Sequence, residues 1–155
     1  MTAKKISLLG STGSIGRQTL EVVANLNITV TALAARSNVL LMEEQARRFS
    51  PVLAVLEDEA SARDLRVRLG DTNVKVLGGK KGIMDAAVCE SDTVVAAMSG
   101  ADGLGPVLAA IGAGRDIALA NKETLVCAGA VVTAKAREKG VRLIPVDSEH
   151  SAVYQ

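Results

Sequence analysis

The chain has 155 residues, of which 48% are hydrophobic and 23% charged, and its formal net charge at pH 7 is +1. This length is typical of one domain, and so small a net charge argues against a nucleic-acid surface or a surface for acidic lipids. Phe49 and Tyr154 are the only aromatic residues, which argues against a base-stacking platform.

The sequence also argues against a membrane or secreted protein. No apolar run reaches the roughly 20 residues that a membrane span needs, and the N-terminal residues pass directly into a strand-like run without a signal-peptide core. Cys89 and Cys127 show no CxxC or Cys/His pattern, which indicates buried thiols in a reducing compartment. We therefore expect a cytoplasmic protein that binds neither nucleic acid nor a membrane.

Short β-branched runs alternate with longer runs of helical periodicity along the chain. Strands are predicted at Lys5–Leu9, Thr29–Ala35, Val52–Leu56, Val74–Leu77, Thr93–Ala96, Asp116–Ala120 and Arg142–Val146. Helices are predicted at Ser14–Leu26, Val39–Phe49, Glu59–Leu69, Lys81–Val88, Leu104–Ala113 and Gly129–Lys139. Several strands are apolar almost throughout, which indicates a parallel sheet covered on both faces. The pattern predicts an α/β fold, a doubly wound and mostly parallel Rossmann-like sheet with helices on both faces.

Local signals mark where several helices begin and end. Ser14 is expected to cap the first helix and Asp58 the third, because both residue types favour the N-cap. Gly70, Gly114 and Gly140 stand where helices should stop. The basic run 78–82, Gly-Gly-Lys-Lys-Gly, is expected to be a solvated turn.

The first strand passes directly into the loop Gly10–Gly16, whose sequence is Gly-Ser-Thr-Gly-Ser-Ile-Gly. Glycines allow a tight turn and let a pyrophosphate approach the backbone, and the following helix points its free N–H groups at the anion. The alternative is an ordinary turn, since glycine spacings of this kind also arise by chance. Its place between the first strand and the first helix favours a phosphate cradle.

The second strand ends at Arg36, Ser37 and Asn38. Domains that prefer NAD carry an Asp or Glu at this point, which hydrogen-bonds the ribose 2′-hydroxyl. Here a guanidinium stands instead, and it can pair with a 2′-phosphate, while Ser37 can donate its hydroxyl and Asn38 can donate to the phosphate or cap the next helix. The loop favours NADP over NAD, with a surface arginine beside a helix cap as the alternative.

The fifth and sixth predicted strands also end in candidate site residues. Small residues at 99–103 would let a flat ligand such as nicotinamide approach the backbone, or they form a simple turn. Asn121, Lys122 and Glu123 follow the sixth strand. Lys122 can hold an anionic substrate group, and its two neighbours can hydrogen-bond a cofactor. Asn121 can equally cap a helix with two solvated charges beside it.

The last predicted strand leads into Asp147, Ser148, Glu149 and His150. Residues two apart in extended backbone share a face, so Asp147 and Glu149 can converge on one divalent cation. Carboxylate oxygens suit Mg²⁺ or Mn²⁺, and Ser148 and His150 would then lie near the substrate. The alternative is an acidic turn, and a metal site would need a third ligand from elsewhere.

Three motifs together, Gly10–Gly16, Ala120–Glu123 and Pro145–His150, resemble those of the 1-deoxy-D-xylulose 5-phosphate reductoisomerases, and the resemblance covers the whole chain. It implies a homodimeric enzyme of the non-mevalonate isoprenoid pathway that needs NADPH and a divalent metal. Such an enzyme rearranges its sugar phosphate and reduces the product to 2-C-methyl-D-erythritol 4-phosphate.

The resemblance also implies roles for individual residues. The cofactor contacts are Thr12, Gly13, Ser14, Ile15, Arg36, Ser37, Asn38, Asn121 and Glu123. The substrate contacts are Lys122, Ser148 and Glu149, and the catalytic residues are Lys122 and Glu149. The metal ligands are Asp147 and Glu149. The family often has Gly-Lys-Asn where Arg36, Ser37 and Asn38 stand here.

Chains of that family continue well beyond residue 155, with a catalytic domain that holds a further metal-binding carboxylate. We expect residues 1–150 to form the NADPH-binding domain and residues 151–155 to begin the catalytic one. The isolated chain is then expected to bind NADPH without turnover. The alternatives are a stand-alone NADP-binding module without catalysis and another Rossmann oxidoreductase, such as a homoserine or semialdehyde dehydrogenase.

Overall fold

The computed structural model describes residues 4–120 and 122–146. Its strands are β1 (Lys4–Leu9), β2 (Ile28–Ala35), β3 (Leu53–Leu56), β4 (Lys75–Gly78), β5 (Thr93–Ala96), β6 (Asp116–Leu119) and β7 (Leu143–Pro145). Its helices are α1 (Ser14–Ala24), α2 (Val39–Phe49), α3 (Glu59–Arg68), α4 (Gly79–Val88), α5 (Leu104–Gly112) and α6 (Lys122–Lys139), and a 3-10 turn spans Ala101–Gly103. None of these helices is both long enough and apolar enough to cross a membrane.

The strands form one sheet in the order β4-β3-β2-β1-β5-β6-β7, and every neighbouring pair is parallel. The chain therefore starts in the middle of the sheet, moves outward to β4, and returns to the other side of β1 with β5. This order confirms the predicted doubly wound fold. The loops after β1 and β5 turn to opposite sides, which opens a crevice at the carboxyl ends of these strands, where such sheets bind ligands.

The sheet carries a hydrophobic core on each face, because successive side chains of a strand point to opposite faces. Leu8 packs with Met42 of α2 in the core beneath α1, α2 and α3. Its neighbour Leu9 packs with Ile83 of α4 and Ile111 of α5 in the core on the other face. Both faces are covered, and the apolar strand sequences follow from this double burial.

One predicted helix cap and one predicted helix start are wrong. Gly13 is the N-cap of α1, with extended backbone at φ −79° and ψ 177°, and Ser14 is already the first helical residue. Helix α4 begins at Gly79, so most of the predicted solvated turn is the first turn of a helix. A Cβ on Gly82 would lie 2.8 Å from Cγ1 of Val55, so this glycine lets α4 approach the sheet closely. The predicted cap of α3 is confirmed, since Asp58 accepts a hydrogen bond of 2.9 Å from the Ser61 amide.

Helix α6 also starts earlier than predicted. It begins at Lys122, and Ala128 breaks it with non-helical angles of φ −147° and ψ 29°. The predicted helix Gly129–Lys139 is the part after this kink. Because the kink interrupts the 3.6-residue period, the first part of α6 has no clear signal in the sequence.

Strand β7 is held to β6 by an ion pair. The carboxylate of Asp116 accepts hydrogen bonds from the backbone N–H of Arg142 at 2.9 Å and from its guanidinium at 2.8 and 3.0 Å. The backbone N–H and then the guanidinium of Arg142 lower the pKa of Asp116 below its ordinary value of 3.8. Asp116 thus fixes the strand that leads to the predicted metal ligands.

We predict that Asp116→Asn lowers the free energy of unfolding in urea by about 1 kcal/mol, the scale of a hydrogen bond to a charged group at a half-exposed site. Because the pKa is lower in the folded chain, this contribution is complete well above pH 3.8 and is lost as the pH falls from that value through the lower pKa of the folded chain. Asp64→Asn, in an exposed pair with Arg68, is the control and should change stability less. If both substitutions lower the free energy of unfolding equally at pH 7, the stabilising role of the Asp116–Arg142 pair is contradicted.

Candidate dinucleotide-binding site

A cleft of about 240 Å³ lies at the carboxyl ends of β1, β2 and β5. It is lined by Gly10, Thr12, Gly13, Ala35, Arg36, Glu57, Ala97, Met98 and Ser99. The structure thus brings three of the predicted cofactor residues, Thr12, Gly13 and Arg36, into one cleft at the crevice of the sheet.

Two glycines of the loop are required by the protein's own packing. Gly10 has a φ of +90°, and a Cβ there would lie 2.5 Å from the Ala97 carbonyl oxygen. A Cβ on Gly16 would lie 2.1 Å from the Gly10 carbonyl oxygen. Such distances leave no room for a side chain, so these residues hold the start of α1 directly against the end of β1.

Gly13 differs from Gly10 and Gly16 because no contact with the described residues excludes a side chain there. Its φ of −79° is accessible to any residue, and the nearest protein atom to an added Cβ is the Gly10 carbonyl oxygen at 3.7 Å. No side chain caps α1, and the N–H groups of Ser14 and Ile15 have no acceptor within the described residues. The bare backbone and the free N–H groups form a site suited to an anion.

Hydrogen bonds hold the backbone at Arg36, whereas the Arg36 side chain is exposed. The Glu57 amide donates to the Ala35 carbonyl and the Asp58 amide to the Arg36 carbonyl, both at 2.9 Å. The Arg36 side chain is exposed, and no carboxylate among the described residues pairs with it. A guanidinium held at the rim of the cleft without a partner is suited to a phosphate.

Asn38 fills one of its two predicted roles. Its Oδ1 accepts a hydrogen bond of 3.1 Å from the Leu41 amide and so caps α2. The cap uses only the carbonyl end of the side chain, which leaves the amide NH₂ group to donate. Ser37 is exposed beside it.

A second cavity of about 370 Å³ shares Glu57 and Met98 with the cleft. Its other lining residues are Lys80, Ile83, Met84, Asp102, Leu104, Gly105 and Pro106. Sequence reasoning missed Glu57 and Met98. Glu57 directly follows β3 at the same edge of the sheet, so the strand-end rule could have found it, whereas an apolar Met98 gives no such signal.

The remaining predicted site residues lie at the edge of what the structure describes. Asn121, Asp147, Ser148 and Glu149 are outside the described residues. Lys122 and Glu123 are the first two residues of α6, directly beyond the end of β6. Within residues 4–120 and 122–146, no group of three or more His, Cys, Asp or Glu side chains is placed to hold a metal ion.

The sequence profile of one protein family, described as 1-deoxy-D-xylulose 5-phosphate reductoisomerase, matches residues 6–129. The reductoisomerase of Moorella thermoacetica is 54% identical over 156 aligned positions, which cover 99% of this chain and 40% of that protein. The chain thus spans about 40% of the length of the curated relatives that it matches.

Solved structures give the same result. The reductoisomerase of Zymomonas mobilis in complex with NADPH superposes with a TM-score of 0.94 at 38% identity, covering 99% of this chain and 41% of that one. A reductoisomerase in complex with NADPH, fosmidomycin and magnesium has a TM-score of 0.91 at 39% identity, covering 98% and 38%. A homoserine dehydrogenase of Archaeoglobus fulgidus, at 19% identity and a TM-score of 0.57, shares the fold alone.

The loop geometry predicts different outcomes for two matched substitutions. Gly16→Ala should lower the free energy of unfolding by about 3 kcal/mol, because the added methyl overlaps backbone atoms that cannot retreat. Gly13→Ala should change it by less than about 1 kcal/mol, because the native angles suit alanine whereas alanine is a poorer N-cap than glycine. Urea unfolding measures the free energy of unfolding of both variants. A Gly13→Ala variant as unstable as Gly16→Ala would show that the protein's own packing requires glycine at both positions.

Proposed function

The chain belongs to the 1-deoxy-D-xylulose 5-phosphate reductoisomerase family, and we propose that it is the NADPH-binding part of such an enzyme. The observation that carries the proposal is the start of α1, where Gly13 has no side chain and no side chain among the described residues caps the helix. A pyrophosphate against this backbone would accept hydrogen bonds from the free N–H groups there. Thr12, Gly13, Ser14 and Ile15 are the residues proposed for this contact.

The choice of NADPH over NADH rests on the end of β2. Arg36 is exposed at the cleft, its guanidinium has no partner within residues 4–120 and 122–146, and no carboxylate occupies 36–38 to bind a free ribose hydroxyl. Arg36, Ser37 and the NH₂ group of Asn38 are proposed to bind the 2′-phosphate. A solved relative contains NADPH, which agrees with this assignment.

The second cavity is proposed to hold the adenine. It adjoins the cleft through Glu57 and Met98, and its lining comes from the end of β3, from α4 and from the segment between β5 and α5. Its lining is mostly apolar, with Ile83, Met84 and Leu104, as pockets for flat organic groups usually are. The nicotinamide would then extend in the other direction, toward the end of β6.

The chemistry is proposed to take place beyond the ends of β6 and β7. Bound NADPH supplies a hydride and a bound divalent cation supplies Lewis acidity. Asn121 and Glu123 are proposed to contact the cofactor, Lys122, Ser148 and Glu149 the substrate, and Asp147 and Glu149 the Mg²⁺ or Mn²⁺. Lys122 and Glu149 are the proposed catalytic residues. The position of Lys122 directly after β6 supports its part in this set.

The proposed reaction of the whole enzyme converts 1-deoxy-D-xylulose 5-phosphate to 2-C-methyl-D-erythritol 4-phosphate, in a cytoplasmic homodimer. Because the matched relatives are about two and a half times as long, these 155 residues by themselves are proposed to bind NADPH without turnover. A stand-alone NADP-binding module is the second candidate. The unpaired Arg36 fits both candidates, and the family membership favours the enzyme.

Substituting Arg36 tests the choice of cofactor. Arg36→Ala should raise the Kd of NADPH about tenfold or more, because a charge-assisted hydrogen bond is lost. The Kd of NADH should stay within about twofold, since NADH has no 2′-phosphate to lose. Titration followed by the fluorescence of the reduced nicotinamide gives both constants.

Arg137→Ala is the matched control, an exposed arginine near the end of α6 that should change neither constant. Equal binding of NADH and NADPH by the unmodified chain would rule out the NADPH assignment. So would an Arg36→Ala variant that weakens both cofactors alike.

A further inference from the structure

Helix α2 places a buried amide side chain against the glycine loop. Gln45 is only 6% exposed, and its Nε2 donates a hydrogen bond of 2.9 Å to the carbonyl oxygen of Ser11. Ser11 is itself fully buried, and its amide donates to the Ala34 carbonyl at 3.0 Å. The Ser11 residue is therefore held from two sides, by β2 and by α2.

This hydrogen bond determines the direction of the next N–H group. In a trans peptide the carbonyl oxygen and the amide hydrogen point in opposite directions. Since the Ser11 oxygen points at Gln45, the Thr12 N–H points away from α2. Thr12 lines the cleft, and no acceptor within the described residues takes its N–H. The orientation of this donor thus depends on Gln45.

Gln45 also carries a cost that packing alone does not explain. Its Oε1 is buried without a hydrogen-bond partner among the described residues, and a buried unpaired oxygen is destabilising. Its neighbours on the buried face of α2 are Met42 and Ala46. A methionine would fill a similar volume there without an unpaired polar atom. Unlike methionine, glutamine supplies an N–H donor for the Ser11 carbonyl oxygen at this position.

We propose that Gln45 is a positioning residue for the cofactor, which orients the Ser11–Thr12 peptide so that the Thr12 N–H faces the pyrophosphate. The inference rests on the proposed NADPH site and extends it to a residue outside the cleft. A glycine-rich loop has many accessible conformations, so a fixed peptide lowers the entropic cost of binding. Gln45 acts on the pyrophosphate only, and the 2′-phosphate contacts at the start of α2 do not depend on it.

The first test separates positioning from general damage. Gln45→Met should raise the Kd of NADPH about tenfold, the scale of a lost buried hydrogen bond. The Kd of adenosine 2′-monophosphate should stay within about twofold, because this probe has the 2′-phosphate but no pyrophosphate. Glu44→Gln, an exposed neighbour on the same helix, is the control. Calorimetric titration of the 155-residue chain measures all constants.

The second test uses the pH dependence of Gln45→Glu. A protonated carboxyl can donate to the Ser11 carbonyl, whereas an ionised one cannot, and burial keeps such a group protonated to higher pH. The Kd of NADPH for this variant, divided by that of the unmodified chain, should therefore rise between pH 5.5 and 8.5. The ratio removes the titration of the cofactor and of the charged groups around Gln45, which are Arg17, Glu21, Glu44 and Arg48.

The results of these tests distinguish a failure of the Gln45 role from a failure of the proposed NADPH site. The role of Gln45 alone is overturned if the Gln45→Met variant binds NADPH as tightly as the unmodified chain. It is also overturned if the Kd ratio of the Gln45→Glu variant does not change with pH. Equal weakening of NADPH and adenosine 2′-monophosphate also overturns it, because that result indicates general damage to α2. Absence of NADPH binding by the unmodified chain overturns the proposed function, and the role of Gln45 with it.

Discussion

The close contact between Gly16 and Gly10 is the constraint on which the rest of the site depends. With no side chain on Gly16, the first turn of α1 lies directly against the carbonyl of Gly10. Gly10 in turn lies against Ala97 at the end of β5. These contacts set the uncapped start of α1 at the crevice of the sheet, where its free N–H groups point at one small volume. Thr12, Gly13 and Arg36 line the cleft at this point.

The parallel sheet explains why distant segments meet there. Its strands all end at one edge, so the loops after β1, β2, β3 and β5 contribute neighbouring residues although they are far apart in sequence. Backbone hydrogen bonds from Glu57 and Asp58 hold the end of β2. The side chain of Gln45 on α2 donates a hydrogen bond to the glycine loop. The resulting site is built on fixed backbone, while the Arg36 side chain remains free to bind.

Much of this arrangement is predictable from the sequence, and the exceptions have physical reasons. Apolar strands such as β5 and the glycine loop predict the fold and the crevice, because burial on both faces and close backbone approach limit the residues allowed. The start of α6 is not predictable because Ala128 breaks its period. The role of Gln45 depends on a contact with a residue 34 positions away, and a polar residue in a helix carries no signal of such a partner.

In the proposed complex the backbone amides of the glycine loop and the Arg36 loop together bind NADPH. The most direct measurement is a two-dimensional ¹H–¹⁵N NMR titration of the 155-residue chain with NADPH. We expect the largest amide shifts at Thr12 to Gly16 and at Arg36 to Asn38, with the shifts of the second group much reduced when NADH is used. Shifts elsewhere with none in these two loops, or no saturable shifts at all, would contradict the proposed complex.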